Sequence, residues 1–113
     1  MDVSYILESL NEKQREAVTS ESPHLLVLAG AGSGKTRVLV HRVAWIVDGF
    51  RSNPGTIMTV TFTNKAANEM QSRIQELLKS PVPELWCGTF HGLAHRTLKR
   101  FYKEANLISG FTI

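Results

Sequence analysis

Only one cysteine, Cys87, occurs in these 113 residues, so an internal disulfide is impossible and a reducing compartment is the natural setting. Long hydrophobic runs are missing as well. The longest begins at Leu25 and stops near Ala31, far below the about 20 residues that cross a bilayer. The start, Met1-Asp2-Val3-Ser4-Tyr5, has neither the basic opening nor the apolar stretch of a secretory leader. No membrane association is expected, and the chain reads as soluble and cytoplasmic. Repeats, linkers and low-complexity tracts are absent, and 113 residues make one domain at most. Aspartate is scarce too, occurring at Asp2 and Asp48 alone.

What is present has an ordinary globular balance, 42% hydrophobic and 20% charged, which excludes disorder. The net charge of +3 falls in residues 85–113, where Arg96, Lys99, Arg100 and Lys103 stand against Glu104 alone. The most informative stretch is Ala29-Gly30-Ala31-Gly32-Ser33-Gly34-Lys35-Thr36, which follows the apolar Leu25–Leu28 and precedes a helical pattern. A phosphate-binding loop needs that context. Glycines let the backbone wrap an anion and turn N–H groups toward it, and the helix opening near Gly34 adds partial positive charge. Lys35 can reach the outer phosphates of a nucleoside triphosphate, and the Thr36 hydroxyl can ligate Mg²⁺. Ala29 stands where the strict pattern has glycine. That change is mild, because Gly30, Gly32 and Gly34 remain.

Periodicity sets these residues in a framework. Asn11 with Gln14 reads as a capped helix start, and the helix runs to about Thr19. His24–Leu28 reads as a first strand. Thr36 to about Asp48 reads as a helix with Leu39, Val43, Ile46 and Val47 on one face. Ile57–Phe62 is a second predicted strand, rich in β-branched residues. Asn64–Lys79 follows as a helix burying Ala66, Met70, Ile74 and Leu77, with Glu69–Arg73 as an i,i+4 pair. Leu85–Phe90 is a third strand, and His91 to about Ala105 a helix burying Ala94, Leu98 and Phe101. Trp45, Trp86 and Cys87 are expected in the interior. The class is α/β: a parallel sheet of about three strands flanked by about four helices, with ligands beyond the strands' carboxyl ends.

Hydrolysis needs more than a phosphate loop. It takes a carboxylate for the metal and a group that orients water. Val43–Asp48 imitates an acid-ended strand, but it continues the helix that follows Lys35. Asp48 then sits about 18 Å along that helix, and it reads as a surface residue at the helix end.

Four separated segments resemble UvrD-like superfamily 1 DNA helicases. Leu10–Ala17 is similar to their adenine-reading motif and Ala29–Thr36 to their phosphate loop. Thr61-Phe62-Thr63-Asn64-Lys65-Ala66-Ala67 and Gly88-Thr89-Phe90-His91-Gly92 resemble their first two strand-binding motifs. The likeness spans the whole chain in the family's motif order. It implies an incomplete P-loop, RecA-like fold, with residues 1–90 in the first motor domain and 91–113 opening an inserted helical subdomain. It also implies ATP with Mg²⁺, movement 3′ to 5′ on single-stranded DNA, and unwinding of duplex DNA in repair or replication. Family members are several times longer, so the acid-pair motif and second motor domain are expected beyond Ile113. A truncated nucleotide- or strand-binding module without turnover, and a small stand-alone phosphate-loop kinase, remain alternatives.

By resemblance, Gln14 hydrogen-bonds the adenine edge, although at the third helical position its amide can fold back on Asn11 instead. Arg37 packs against adenine or is a solvated charge. Phe62 stacks a base or fills the core. Thr63, Asn64 and Lys65 hold a DNA phosphate, although Asn64 can be a helix cap and Lys65 can face water. His91 contacts the strand or is a lone surface histidine. Arg96, Lys99, Arg100 and Lys103 share one helical face, which either lies along DNA or is solvated.

Overall fold

A computed structural model describes residues 3–30 and 34–111. The element order is α1 (Ser4–Leu7), α2 (Glu12–Thr19), α3 (Lys35–Ala44), a π-helical turn (Trp45–Gly49), a 3-10 turn (Pro54–Thr56), β1 (Met58–Thr61), α4 (Asn64–Leu78), β2 (Trp86–Thr89) and α5 (Phe90–Arg100). The strands β1 and β2 are parallel neighbours, and α4 is the crossover between them. This much is the expected α/β arrangement.

The expected first strand does not form. Residues 24–28 have no ladder partner among the described residues, and Leu26 and Leu28 are 81% and 86% exposed. An unbroken apolar run suits a strand covered on both faces. It becomes a strand only where a neighbour accepts its hydrogen bonds, and among the described residues β1 and β2 pair only with each other. Sequence pattern reports the first condition and not the second.

Helix α3 is the centre of the packing. Val38 and Ala44 join Ile6, Leu10 and Val18 in a core shared with α1 and α2. Val40 and Val43 join Met70, Ile74, Val82 and Leu85 in a second core shared with α4 and the approach to β2. The expected single apolar face of α3 is thus corrected to two, and Leu39 is left half exposed. The helix also stops earlier than expected. After Ala44 the backbone widens into the π-helical turn, closed by Phe50 N–H donating to the Trp45 carbonyl at 3.1 Å. Gly49 permits this, because a Cβ there would come within 3.1 Å of the Trp45 ring. Asp48 is half-buried rather than on the surface, and it accepts a hydrogen bond from the Tyr5 hydroxyl.

Other local expectations change for identifiable reasons. Thr63, not Asn64, caps α4, its hydroxyl accepting from Ala66 N–H at 3.1 Å. Glu69 and Arg73 do not pair; among the described residues the one ion pair is the exposed Lys13–Glu16 at 3.8 Å. Helix α5 ends at Arg100 rather than Ala105, and it buries Leu93 while Ala94 and Phe101 are exposed. Trp45, Trp86 and Cys87 are half-buried, with the Cys87 thiol 3.5 Å from the Ala67 carbonyl.

Truncating Ile74, 0% exposed at the α3–α4 contact, to alanine is expected to cost about 2–5 kcal/mol of stability. Leu26→Ala is expected to cost less than about 0.5 kcal/mol. Urea unfolding midpoints with equal slopes check both, and a large loss at Leu26 would mean that residues 24–28 are packed.

Candidate nucleotide and nucleic-acid site

Two hollows open at the start of α3. The helix begins at Lys35, directly after Gly34, whose φ of +84° is left-handed. A side chain at position 34 would be strained by that angle, and its Cβ would lie 3.1 Å from the Gln14 amide nitrogen. Glycine is required there twice over. Ala29 and Gly30 lead into the loop; Ala31, Gly32 and Ser33 lie outside the described residues. Lys35 and Ala29 line a cavity of about 180 Å³ together with Asn11, Gln14, Val27 and Val38.

Gln14 takes the capping role with one half of its amide. Its Oε1 accepts from Asn11 N–H at 3.0 Å while Asn11 Oδ1 accepts from Gln14 N–H at 2.9 Å, a complete capping box. The carbonyl half of the amide is therefore occupied, whereas the NH₂ half lies beside Gly34 at the mouth of the loop.

Arg37 is exposed on the first turn of α3, and its Nη2 donates to the Ser9 carbonyl at 3.1 Å. One edge of the guanidinium is tied down, and this leaves its planar face available for stacking. It also borders a cleft of about 690 Å³ between α1, α3 and α4, with Tyr5, His41 and Arg73 on the walls. His41 Nδ1 lies 2.7 Å from the Arg37 carbonyl, which can only accept, so that nitrogen carries the proton. Burial, partly offset by this bond, holds His41 below the usual imidazole pKa.

The second hollow, about 270 Å³, is lined by Thr36 and Leu39 from α3 and by Thr61, Phe62 and Thr63 from the end of β1. Adjacent helical residues point about 100° apart, so Lys35 and Thr36 serve different hollows from one turn. The sheet register then organises the edge. Thr61 stands opposite Thr89, so the next residues, Phe62 and Phe90, emerge side by side with centroids 5.8 Å apart and planes at 46°. They are 90% and 60% exposed. Phe62 is not a core residue, and Phe90 is a second edge aromatic that strand patterning alone did not single out. Its signal was the repeated Thr-Phe at matched positions of two parallel strands.

Threonine caps open the helices behind both aromatics. The Thr89 hydroxyl accepts from Gly92 N–H at 3.0 Å, and a Cβ on Gly92 would press to 3.1 Å on that oxygen. Asn64, Lys65 and His91 are all exposed at these helix starts. The basic face of α5 is less uniform than its spacing implies. Arg96 folds back over the Trp86 ring at 4.3 Å and donates to the Leu85 carbonyl at 3.4 Å, and Arg100 lies 5.9 Å from the Phe101 ring. Among the described residues there is no cluster of three or more His, Cys, Asp or Glu suited to a metal, and no helix is long and apolar enough to cross a membrane.

The candidate site thus comprises a glycine-opened helix with exposed Lys35 and Thr36, Gln14 beside Gly34, and Phe62 and Phe90 on the neighbouring sheet edge. The chain belongs to the UvrD/REP helicase N-terminal domain family, which matches residues 10–113. It is 59% identical over all 113 residues to DNA helicase II of Escherichia coli K12, covering 16% of that protein. It is 50% identical to DNA helicase II of Haemophilus influenzae, again over the whole chain and 16% of the relative. To the ATP-dependent DNA helicase PcrA of Leuconostoc citreum it is 47% identical, covering 15% of that protein. The chain thus spans about one sixth of the length of the curated relatives it matches.

The Tyr5–Asp48 contact that borders the cleft has a pH signature. Burial first, then the hydrogen bond and charge of Asp48, push the Tyr5 pKa up to about 12. An unfolded tyrosine ionises near 10, so the stabilisation is complete below about pH 10 and is lost as pH rises toward about 12. In an ultraviolet titration, one phenol is expected to ionise late, and Tyr5→Phe should delete that late step. Persistence of the step in the variant would assign it elsewhere.

Proposed function

We propose that this chain is the nucleotide-gripping and strand-gripping front of an ATP-dependent 3′-to-5′ DNA helicase, built as the start of a P-loop, RecA-like motor domain. In this reading residues 1–90 belong to that domain and 91–113 open an inserted helical subdomain. The observation that carries it is the double use of one helical turn. Lys35 shares a cavity with Gln14 and Ala29, and Thr36 shares the adjoining hollow with Phe62 and Thr63.

Main-chain N–H groups of Ala29–Gly34 and the α3 N-terminus would cradle the phosphates of ATP, and the Lys35 ammonium would neutralise the outer ones. Thr36 presents a hydroxyl on an exposed first turn, which fits a Mg²⁺ ion that takes one protein oxygen and keeps phosphate oxygens and waters as its other ligands. Bound there, the ion would offset the charge of the outer phosphates. The Gln14 NH₂ would donate to the adenine edge while its carbonyl keeps the cap. The face of Arg37 would pack on the base while its edge holds Ser9.

On the sheet edge, Phe62 would stack a base regardless of its identity, which suits a protein that must pass over every sequence. Thr63, Asn64, Lys65, His91 and the α4 N-terminus would hold the phosphates on either side. The rest of a helicase, above all a second motor domain, is the expected partner, with single-stranded and duplex DNA as the track, in the cytoplasm. Turnover by this chain alone is expected to be negligible. Asp48, the one aspartate among the described residues, is engaged by Tyr5 in the π-helical turn beyond α3. A binding module without turnover is the same chemistry in isolation.

Titration with Mg·ATP should saturate, and Lys35→Ala should weaken the affinity by at least about tenfold, the usual loss for a bond to a charged group. Absence of saturable uptake by a folded sample would remove the nucleotide assignment. On a fluorescent oligothymidylate, Phe62→Ala should weaken binding by about five- to a hundredfold, the worth of one stacked base. An unchanged affinity would move the strand away from this edge.

A further inference from the structure

We propose that Arg42 is a positioning residue for base recognition: it clamps the carboxyl end of α2 to α3 and so sets where the Gln14 amide meets the nucleotide loop. This rests on the Gln14 role proposed above. Arg42 sits eight residues after Gly34, about two turns along α3. Its Nη1 lies 2.9 Å from the Ala17 carbonyl, 3.0 Å from that of Val18 and 3.1 Å from that of Ser20.

Those are carbonyls of the last turn of α2 and its exit, which a helix leaves without internal partners. Nη1 has two N–H bonds, so three acceptors share two protons, and the guanidinium charge meets the negative end of the helix dipole. Arg42 is half-buried and makes no ion pair among the described residues, so its charge is directed at the main chain.

Helix α2 is short, eight residues, and exposed over most of its surface; Val18 is its one buried residue. Apolar packing alone gives it few restraints against sliding along α3. The other polar ties act near its start, where Arg15 donates to the Leu7 carbonyl at 2.9 Å and Arg37 to that of Ser9 at 3.1 Å. Arg42 holds the opposite end. Without it, α2 is held only near its start and can roll about its own axis, and a roll turns the Gln14 side chain away from Gly34 even though its backbone stays close to the remaining ties. Lys35 lies on α3 itself, so the phosphate grip does not depend on Arg42. The inference therefore separates base recognition from phosphate binding.

The test is titration of the whole 113-residue chain with Mg·ATP, Mg·CTP and inorganic tripolyphosphate, comparing the native protein with Arg42→Met. The ATP-over-CTP preference is expected to fall about fivefold, the worth of one hydrogen bond, with tripolyphosphate affinity unchanged. Arg42→Lys, which restores three N–H donors on one nitrogen, should recover most of the preference. Arg42→Met added to Gln14→Ala should reduce it no further. Equal weakening of all three ligands, or an additive effect on the Gln14→Ala background, overturns the inference and makes Arg42 a stability residue only. Should Arg42→Met fail to fold, the Arg42→Lys and Arg42→Gln pair decides: an ATP-to-CTP ratio equal to the native one in both overturns it. A native protein that holds ATP no better than tripolyphosphate overturns the Gln14 assignment itself, and that failure is visible before any substitution at Arg42.

Discussion

Burial of α3 on two sides is the constraint from which the rest of the molecule follows. Val38 and Ala44 anchor it to α1 and α2, and Val40 and Val43 anchor it to α4. A helix held on one face can rock about its contact line. One held on two cannot, short of disturbing both cores, because close-packed interiors tolerate little displacement. Lys35 and Thr36 occupy the free first turn of this fixed helix, so their direction is set by residues one to three turns away. The exposed Lys35 and Thr36 owe their positions to aliphatic side chains buried farther along the helix.

The short helices beside α3 are secured by arginine as well as by hydrocarbon. Arg15, Arg37 and Arg42 all direct guanidinium donors at main-chain carbonyls of α1, α2 or the turns that follow them. Charge-assisted bonds of this kind are stronger than neutral ones, and a planar fork loses little freedom in making them. For short elements such as α1, of four residues, and α2, of eight, this is an effective way to dock on a longer helix. It also keeps α2, which carries Gln14, docked beside the start of α3.

The sheet edge follows a different rule. A parallel pair in register brings equivalent positions side by side at about 4.8 Å. The Thr-Phe sequence at the end of β1 therefore meets the Thr-Phe at the end of β2. Each strand delivers an aromatic to the rim. Thr63 then caps α4 and Thr89 caps α5, so both helix starts are fixed directly behind the two aromatics. Phe62 and Phe90 are large exposed apolar groups, and their contact with each other reduces the area left to water.

Local information carried much of this. The Gly34-Lys35-Thr36 turn, the Asn11–Gln14 capping box, both strands that pair and the apolar face of α4 all follow from residues a few positions apart, because caps, periodicity and turn chemistry act over that range. Family membership was legible for the same reason, since its motifs are short and ordered. What the chain could not reveal by pattern were the interactions between distant segments. The strand-like run at 24–28 forms no ladder, α3 is buried on two faces instead of one, and Arg96 leaves the basic face to lie on Trp86. Each outcome depends on which partner stands beside a segment after folding, and neither hydropathy nor spacing encodes the identity of that neighbour.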